Sequence, residues 1–363
     1  MNTYLSRRVV ISLLIIIAIV GIYFFYQQGK SKNRAKFTKT YQEAKELYRK
    51  GDYDEAVRTF RNALERAEMR KEKENTIWSL SEALTYKNAD GDRPEAVRLF
   101  ESITEDQAAP AYSRAFSLNG LAFIYDRTLD AKFMRDFVLD KQPYSNYLQE
   151  SHTGIRGALR RIYETADALY PNALSKIEIA YHYAIPLEDG LLESGLTPQD
   201  TANLVKKYLK DAVPLLSASY EPNTLAYLHL LRAKSIDAIY AATKEVTLQD
   251  VEKAYQEAIA NAERAAERDD FKGEWMLQLG HIWYAGALAK HCGNECAVRI
   301  KELVAPVVSA RPPYSRAITS LHSWLVRYSS EEGLQTPRKT YLSIGIIEEE
   351  FQQLLIELGV APR

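Results

Sequence analysis

Gly51-Asp52-Tyr53-Asp54-Glu55-Ala56-Val57-Arg58-Thr59-Phe60 returns forty residues later as Gly91-Asp92-Arg93-Pro94-Glu95-Ala96-Val97-Arg98-Leu99-Phe100, with seven of ten positions identical. A decamer that recurs within one chain marks a repeat architecture, in which each unit stacks on the next to bury its apolar face. The unit is physically legible. Glycine takes the left-handed conformation that ends one helix. Asp followed three residues on by Glu is a capping-box arrangement that opens the next, with Asp in the usual Ser/Thr place. Pro94 falls in the first turn, where a missing N–H costs little. Ala56/Phe60 and Ala96/Phe100 sit four apart, on one face of a helix. The unit reads as helix, tight turn, helix.

Outward from this decamer the apolar residues keep a helical period. Residues 37–49 carry Phe37, Tyr41, Ala44, Leu47 and Tyr48 on one side, and 54–70 form their partner. Residues 75–87 and 94–104 form the second pair, and 115–126 open a third with Leu118, Leu121, Ala122 and Tyr125. Residues 127–156 lack clean periodicity and read as an insertion or a degenerate repeat. Helices resume at 155–169, 173–184, 251–268, 275–290, 295–309, 316–328 and 342–358, so 157–363 reads as divergent helical repeats. Thr197-Pro198-Gln199-Asp200 and Thr247-Leu248-Gln249-Asp250 are capping boxes. No alternating strand pattern bounded by hairpin turns occurs. The fold class is all-α, a solenoid of antiparallel helix pairs.

Ahead of the repeats, residues 9–26 hold one clearly polar side chain, Ser12, and no charge. As a helix they extend about 27 Å, close to the hydrocarbon thickness of a bilayer. A cleaved signal peptide would have a shorter apolar region followed by small residues. Here Tyr23-Phe24-Phe25-Tyr26-Gln27-Gln28 follows, which resembles an interfacial aromatic belt. The organisation expected is a short tail (1–8), a transmembrane helix (9–26) and a basic juxtamembrane linker (27–36). The lipid bilayer is thereby a partner through 9–26. Lys30, Lys32, Arg34, Lys36 and Lys39 outnumber Arg7 and Arg8, which taken literally places the carboxyl side in the cytoplasm. The N-terminal position of the anchor and the two closely spaced cysteines point the other way, and an extracytoplasmic domain is expected.

The chain has 363 residues, 46 % hydrophobic and 26 % charged, which is ordinary globular material once the anchor is set aside. Residues 41–363 hold 40 basic against 48 acidic side chains, a net of −8, which argues against nucleic acid as a partner. Both cysteines lie in His291-Cys292-Gly293-Asn294-Glu295-Cys296. A Cys292–Cys296 disulfide and two unpaired thiols at a turn both fit; a metal site lacks a fourth ligand and a zinc-like spacing. No phosphate-binding loop, nucleophile elbow or His-Glu-x-x-His helix is present, and the six histidines are scattered. The expectation is a protein with no catalytic residues, no metal and no cofactor.

Gly51, Tyr53, Ala56, Phe60 and Ala63, then Ala96, Phe100 and Pro110, together resemble the tetratricopeptide repeat family. Leu118, Leu121, Ala122 and Tyr125 look like that family's first helix, as do Met276, Leu279, Gly280 and Trp283. The match is specific over 37–125 and suggestive over 247–313. The two decamers are forty residues apart where the family has thirty-four. The resemblance implies a right-handed stack of helix pairs whose concave face binds other proteins or peptides. Its register places Tyr41, Lys45, Tyr48 and Arg49 on the inward side of the first helix, Asn119, Phe123 and Arg127 in the third unit, and His281 and Tyr284 near the end. The Lys/Asn set that clamps a terminal carboxylate in some members is not reproduced.

The tyrosine content, 24 residues, fits solenoid packing and also interfaces, where a large ring with a polar tip is favoured. The function read from the sequence is a membrane-tethered protein–protein interaction scaffold. The rivals are a helical receptor for a small molecule or glycan, and an enzyme whose site is built from sequence-distant residues.

Overall fold

The computed structural model describes residues 33–87, 91–128, 151–190, 192, 195–216, 220–268 and 271–310. The expected tail 1–8, transmembrane span 9–26, linker residues 27–32, most of the 127–156 segment and the helices expected at 316–328 and 342–358 lie outside them. Among the described residues no helix is long and apolar enough to cross a membrane. Every regular element described is helical. Residues 33–49 form α1. They are followed by α2 (Tyr53–Arg66), α3 (Arg70–Lys87), α4 (Asp92–Thr104), α5 (Ala111–Thr128), α6 (Ser151–Leu169) and α7 (Ala173–Asp189). The rest are α8 (Pro198–Ala212), α9 (Pro222–Thr243), α10 (Leu248–Ala266), α11 (Phe271–His291) and α12 (Ala297–Ser309). The chain divides into two compact units, 1–113 and 114–363.

In the first unit α2 packs on α3 and α3 on α4. Ala56, Phe60, Ala96 and Phe100 are buried at the same places in the two decamers. Gly51 turns with φ 77°, and Asp52 caps α2 by accepting from the Glu55 N–H at 3.3 Å. The second copy departs from the expectation. Gly91, at φ 87°, is itself the N-cap of α4, so Asp92 is drawn into the first turn and makes no cap. It is buried instead, 3.6 Å from the Lys87 ammonium. A glycine free to adopt positive φ starts this helix one residue early.

In the second unit α6 packs on α7, α7 on α8, α9 on α10, α10 on α11 and α11 on α12. The odd helices also touch one another, α7 against α9 and α9 against α11. These helices begin at 173, 222 and 271, while α8, α10 and α12 begin at 198, 248 and 297, so a pair returns every 49 or 50 residues. This interval is longer than either the thirty-four of the tetratricopeptide repeat or the forty between the decamers, because the helices themselves are long. For instance, α9 has 22 residues and α11 has 21. Both expected Thr/Asp capping boxes are formed, at Thr197/Asp200 and Thr247/Asp250. Helix α7 runs past the expected end at 184 to Asp189 with Pro186 inside it, and Gly190 closes it at φ 69°.

The sequence reading omitted α9, the helix that touches α7, α8, α10 and α11. Ala226, Leu228, Leu230, Leu231, Ala238 and Ile239 are all buried and point to several sides. A helix covered on every face carries no amphipathic stripe, so its period is invisible in the pattern of apolar residues.

Candidate functional site

The first-helix face can be built from its side chains. Phe37 and Tyr41 stack at 5.7 Å, and Tyr41 meets Phe60 edge-on at 5.8 Å. The Tyr41 hydroxyl shares a hydrogen bond with the Ser79 hydroxyl at 2.9 Å, which ties α1 to α3. Tyr48 forms an edge-on contact with both Tyr53 (5.6 Å) and Tyr86 (6.0 Å). Both tyrosines therefore act as packing between α1, α2 and α3. Lys45 and Arg49, one and two turns on from Tyr41, stay half-exposed. Arg49 donates to Glu46 on its own helix at 2.9 Å.

The other residues expected on an inward face are distributed differently. Tyr48, Asn119 and Tyr284 are only 7 %, 1 % and 3 % exposed, so the transferred register assigned core positions to a binding surface. Asn119 accepts from the Ser175 hydroxyl at 2.9 Å and donates to Asn172 at 3.5 Å, which joins α5 to the start of α7. Asn172 in turn caps α7 through the Ser175 N–H. Tyr284 stacks on Tyr255 at 5.4 Å and accepts from Arg299, whose guanidinium also donates to Glu252 at 2.8 Å. His281 is half-buried; burial lowers its pKa from the ordinary 6.5, against Glu263 and a hydrogen bond with the Leu303 backbone. Phe123 is half-buried on α5, and Arg127 lies in the last turn of α5 with its side chain outside the described residues.

Among the described residues, a dense cluster of charge lies where the carboxyl ends of α7 and α11 meet the middle of α9. Asp237, with its side chain only 1 % exposed, accepts from His291 Nε2 at 2.6 Å and from Lys234 at 3.4 Å. Glu188 receives Lys234 at 2.9 Å and Lys290 at 3.0 Å. Burial alone would raise both carboxyls. For Asp237 it is outweighed by Lys234, the His291 hydrogen bond and Lys290, which hold it below the ordinary carboxylate range. For Glu188 the lysines Lys234 and Lys290 prevail in the same direction, against burial and the neighbouring Asp237. Burial would lower Lys234, yet Glu188 and Asp237 hold it well above its ordinary value. Charges taken from water persist only when paired and hydrogen-bonded, and here two carboxylates answer two ammonium groups and an imidazole. Lys290 lies in the last turn of α11, where its positive charge suits the helix dipole.

Chemically this cluster binds three helices together. His291 and Asp237 form a hydrogen-bonded pair, but both Asp237 and the His291 ring are almost fully enclosed, which leaves no path for a substrate. The sequence reading gave His291 no role beyond a weak ligand and never reached Lys234 or Asp237. Lys234 and Asp237, three apart in the mostly apolar stretch 225–239, were the available signal. A second buried polar centre links α6, α7 and α9: the Tyr227 hydroxyl donates to Glu178 at 2.9 Å, and His182 lies 3.9 Å from that carboxylate against the Tyr163 ring.

The two cysteines are joined. Cys292 and Cys296 form a disulfide with Cα atoms 5.9 Å apart, within the span that such a bond bridges. Among the described residues no group of three His, Cys, Asp or Glu side chains is placed to hold a metal ion. No protein-family model matches the chain, and no curated protein matches it.

Proposed function

We propose that the chain is a membrane-tethered scaffold that docks other proteins or peptides on a tetratricopeptide-like stack of helix pairs. The observation that carries this reading is the alternation in the second unit. Odd helices touch odd helices, even helices pack between them, and the pair recurs at a constant interval. A pair that returns at a near-constant interval and packs chiefly on the pair before it supports a quasi-one-dimensional stack, with the Glu188–Lys290 contact reaching one pair further, from α7 to α11, and such stacks offer extended surfaces for binding. The buried charge cluster supports the same reading, because every member is used to hold helices together.

Residues 9–26 supply the anchor, and confinement to a membrane raises the effective concentration near partners in the same layer. The Cys292–Cys296 disulfide suits an oxidising compartment and supports an extracytoplasmic domain. Lys45 and Arg49 are the docking residues on α1. They are half-exposed, they lie on one side at a four-residue spacing, and Tyr41 and Tyr48 hold that helix firmly in place. Arginine beside aromatic residues is the composition of binding hot spots.

The test is a Lys45→Ala/Arg49→Ala double variant of the full-length protein, crosslinked and recovered from native membranes. The aromatic packing is untouched and half-exposed Arg49 pairs with an exposed Glu46 on its own helix, so the melting temperature should change little. Crosslinked partners should be lost. Recovery of every partner at wild-type yield would remove this face from the interface.

A further inference from the structure

The Cys292–Cys296 disulfide stands at a structural junction. Cys292 follows the last residue of α11, Cys296 is the N-cap of α12, and a single 3-10 turn, Gly293–Cys296, joins them. Both cysteines are partly buried at the margin of the apolar cluster that holds Leu288, Ile300 and Val304. The residue before Cys292 is His291, which donates to Asp237 and so enters the charge cluster binding α7, α9 and α11. The sulfur bridge thus fixes the turn next to the most heavily ion-paired part of the described chain.

We propose that this disulfide is a reducible clasp, a site of thiol–disulfide exchange at which a dithiol, free or carried by a protein, opens the α11–α12 turn. The polarity of the exchange follows from where the sulfurs sit. Cys296 lies at the amino end of a 13-residue helix whose terminus is capped by no side-chain hydrogen bond. A helix amino terminus favours a thiolate, and the sulfur that is the better thiolate leaves faster. A thiolate of the reductant therefore attacks Sγ of Cys292. An S–S bond to the reductant forms, the Cys292–Cys296 bond breaks, and Cys296 departs with the electron pair as a thiolate. The second thiol of the reductant then attacks its own sulfur in that mixed disulfide and releases Cys292. Two electrons and two protons have passed to the protein, and the dithiol has become a disulfide.

The consequence is local. After reduction α12 still buries Ile300, Val304 and Val307, and Arg299 still reaches Glu252 and Tyr284. What loosens is the last turn of α11 and the 3-10 turn, and with them the backbone that carries His291 to Asp237. Oxidation state would then set how firmly α12 is held against the helices before it, independently of the docking face on α1.

The experiment uses the full-length protein in a mild detergent, with and without dithiothreitol, followed by amide hydrogen exchange and timed alkylation read by peptide mass spectrometry. Reduction should go to completion without denaturant and reverse on addition of oxidised glutathione. Exchange should accelerate by about tenfold across 289–299 and stay unchanged in α8 and α9, as local opening requires. In the reduced protein at neutral pH, Cys296 should be alkylated several times faster than Cys292. A Cys292→Ser/Cys296→Ser variant should show the fast exchange with or without dithiothreitol. The proposal is overturned if the bond yields only in denaturant, if exchange across the turn is the same in both states, or if Cys292 is the faster thiol.

Discussion

Replacing Asp237 by alanine removes the acceptor at the centre of the charge cluster, and its cost can be worked from the geometry. The variant loses the 2.6 Å bond from His291 and the 3.4 Å contact with Lys234, in a site where the Asp237 side chain is 1 % exposed. It leaves two ammonium groups facing a single carboxylate, Glu188. Breaking one partner from a buried ionic set costs about 3–5 kcal/mol, because the remaining charge stays desolvated. The Lys234 and Lys290 side chains keep 25 % and 20 % of their exposure and can recover some water, which places the loss near the lower end, about 3 kcal/mol. For a unit of this size that corresponds to a fall in melting temperature of about 6–12 °C. The assay is thermal unfolding of the full-length protein in mild detergent, followed by far-ultraviolet circular dichroism at neutral pH. An Asp237→Leu/Lys234→Met double variant should cost less than the sum of its single variants, since it retains the Glu188–Lys290 pair and strands no charge. A fall of less than 2 °C for Asp237→Ala, or strict additivity in the cycle, would refute the claim that these groups act as one network.

Tyr255 is fully buried and its hydroxyl has no hydrogen-bond partner among the described residues, so Tyr255→Phe should stabilise the protein by about 1 kcal/mol in denaturant unfolding while keeping the stack on Tyr284. Ala56→Leu and Ala96→Leu should each lower stability by about 1–3 kcal/mol, because both alanines are 0 % exposed and leave no room for three more carbons. Unchanged denaturant midpoints would count against that packing. Two glycines of α11 should differ. A Cβ at Gly273 would lie 2.4 Å from the Ala266 nitrogen, in backbone that cannot step aside, whereas one at Gly280 would meet the movable Ile259 side chain at 3.3 Å. Gly273→Ala should therefore depress the melting temperature far more than Gly280→Ala. Stability should also fall with acidity in two stages. Burial holds His229 and His281 below the ordinary 6.5, so the unfolded chain takes up protons first and stability drops as pH falls through and below that value. Asp237 and Glu188, held below their ordinary 3.8 and 4.5, contribute stability that is present above those values and is lost at lower pH. A pH series of melting temperatures checks both stages.

How much of this was legible depended on how each residue announces itself. Thr197/Asp200 and Thr247/Asp250 were readable because a cap is local chemistry, spelled by two residues three apart. Ala56, Phe60, Ala96 and Phe100 were readable because they repeat. Helix α9 was not, since burial on all sides erases the stripe that periodicity detects. Gly91 displaced Asp92 as a cap because a glycine adopts the positive φ that starts the helix one residue earlier. Tyr48 and Asn119 are drawn into the core by the Tyr53 and Tyr86 rings and by the Asn172 and Ser175 side chains, and Tyr284 was expected on a binding face because the register of a thirty-four-residue repeat was applied to pairs that recur at 49 or 50. Over such an interval the face presented by a given offset changes. The ion cluster escaped notice because Glu188, Asp237 and His291 are about fifty residues apart, and only the packing of α7, α9 and α11 brings them together.

The docking role of the first-helix face admits one direct measurement. A photoactivatable amino acid is placed singly at Lys45, at Arg49 and, as an outward reference, at Arg58 on α2, whose side chain is 65 % exposed. The full-length protein is irradiated in native membranes. A discrete crosslinked polypeptide is expected from positions 45 and 49 and none from position 58. The same adduct from all three positions, or none from 45 and 49, would contradict it.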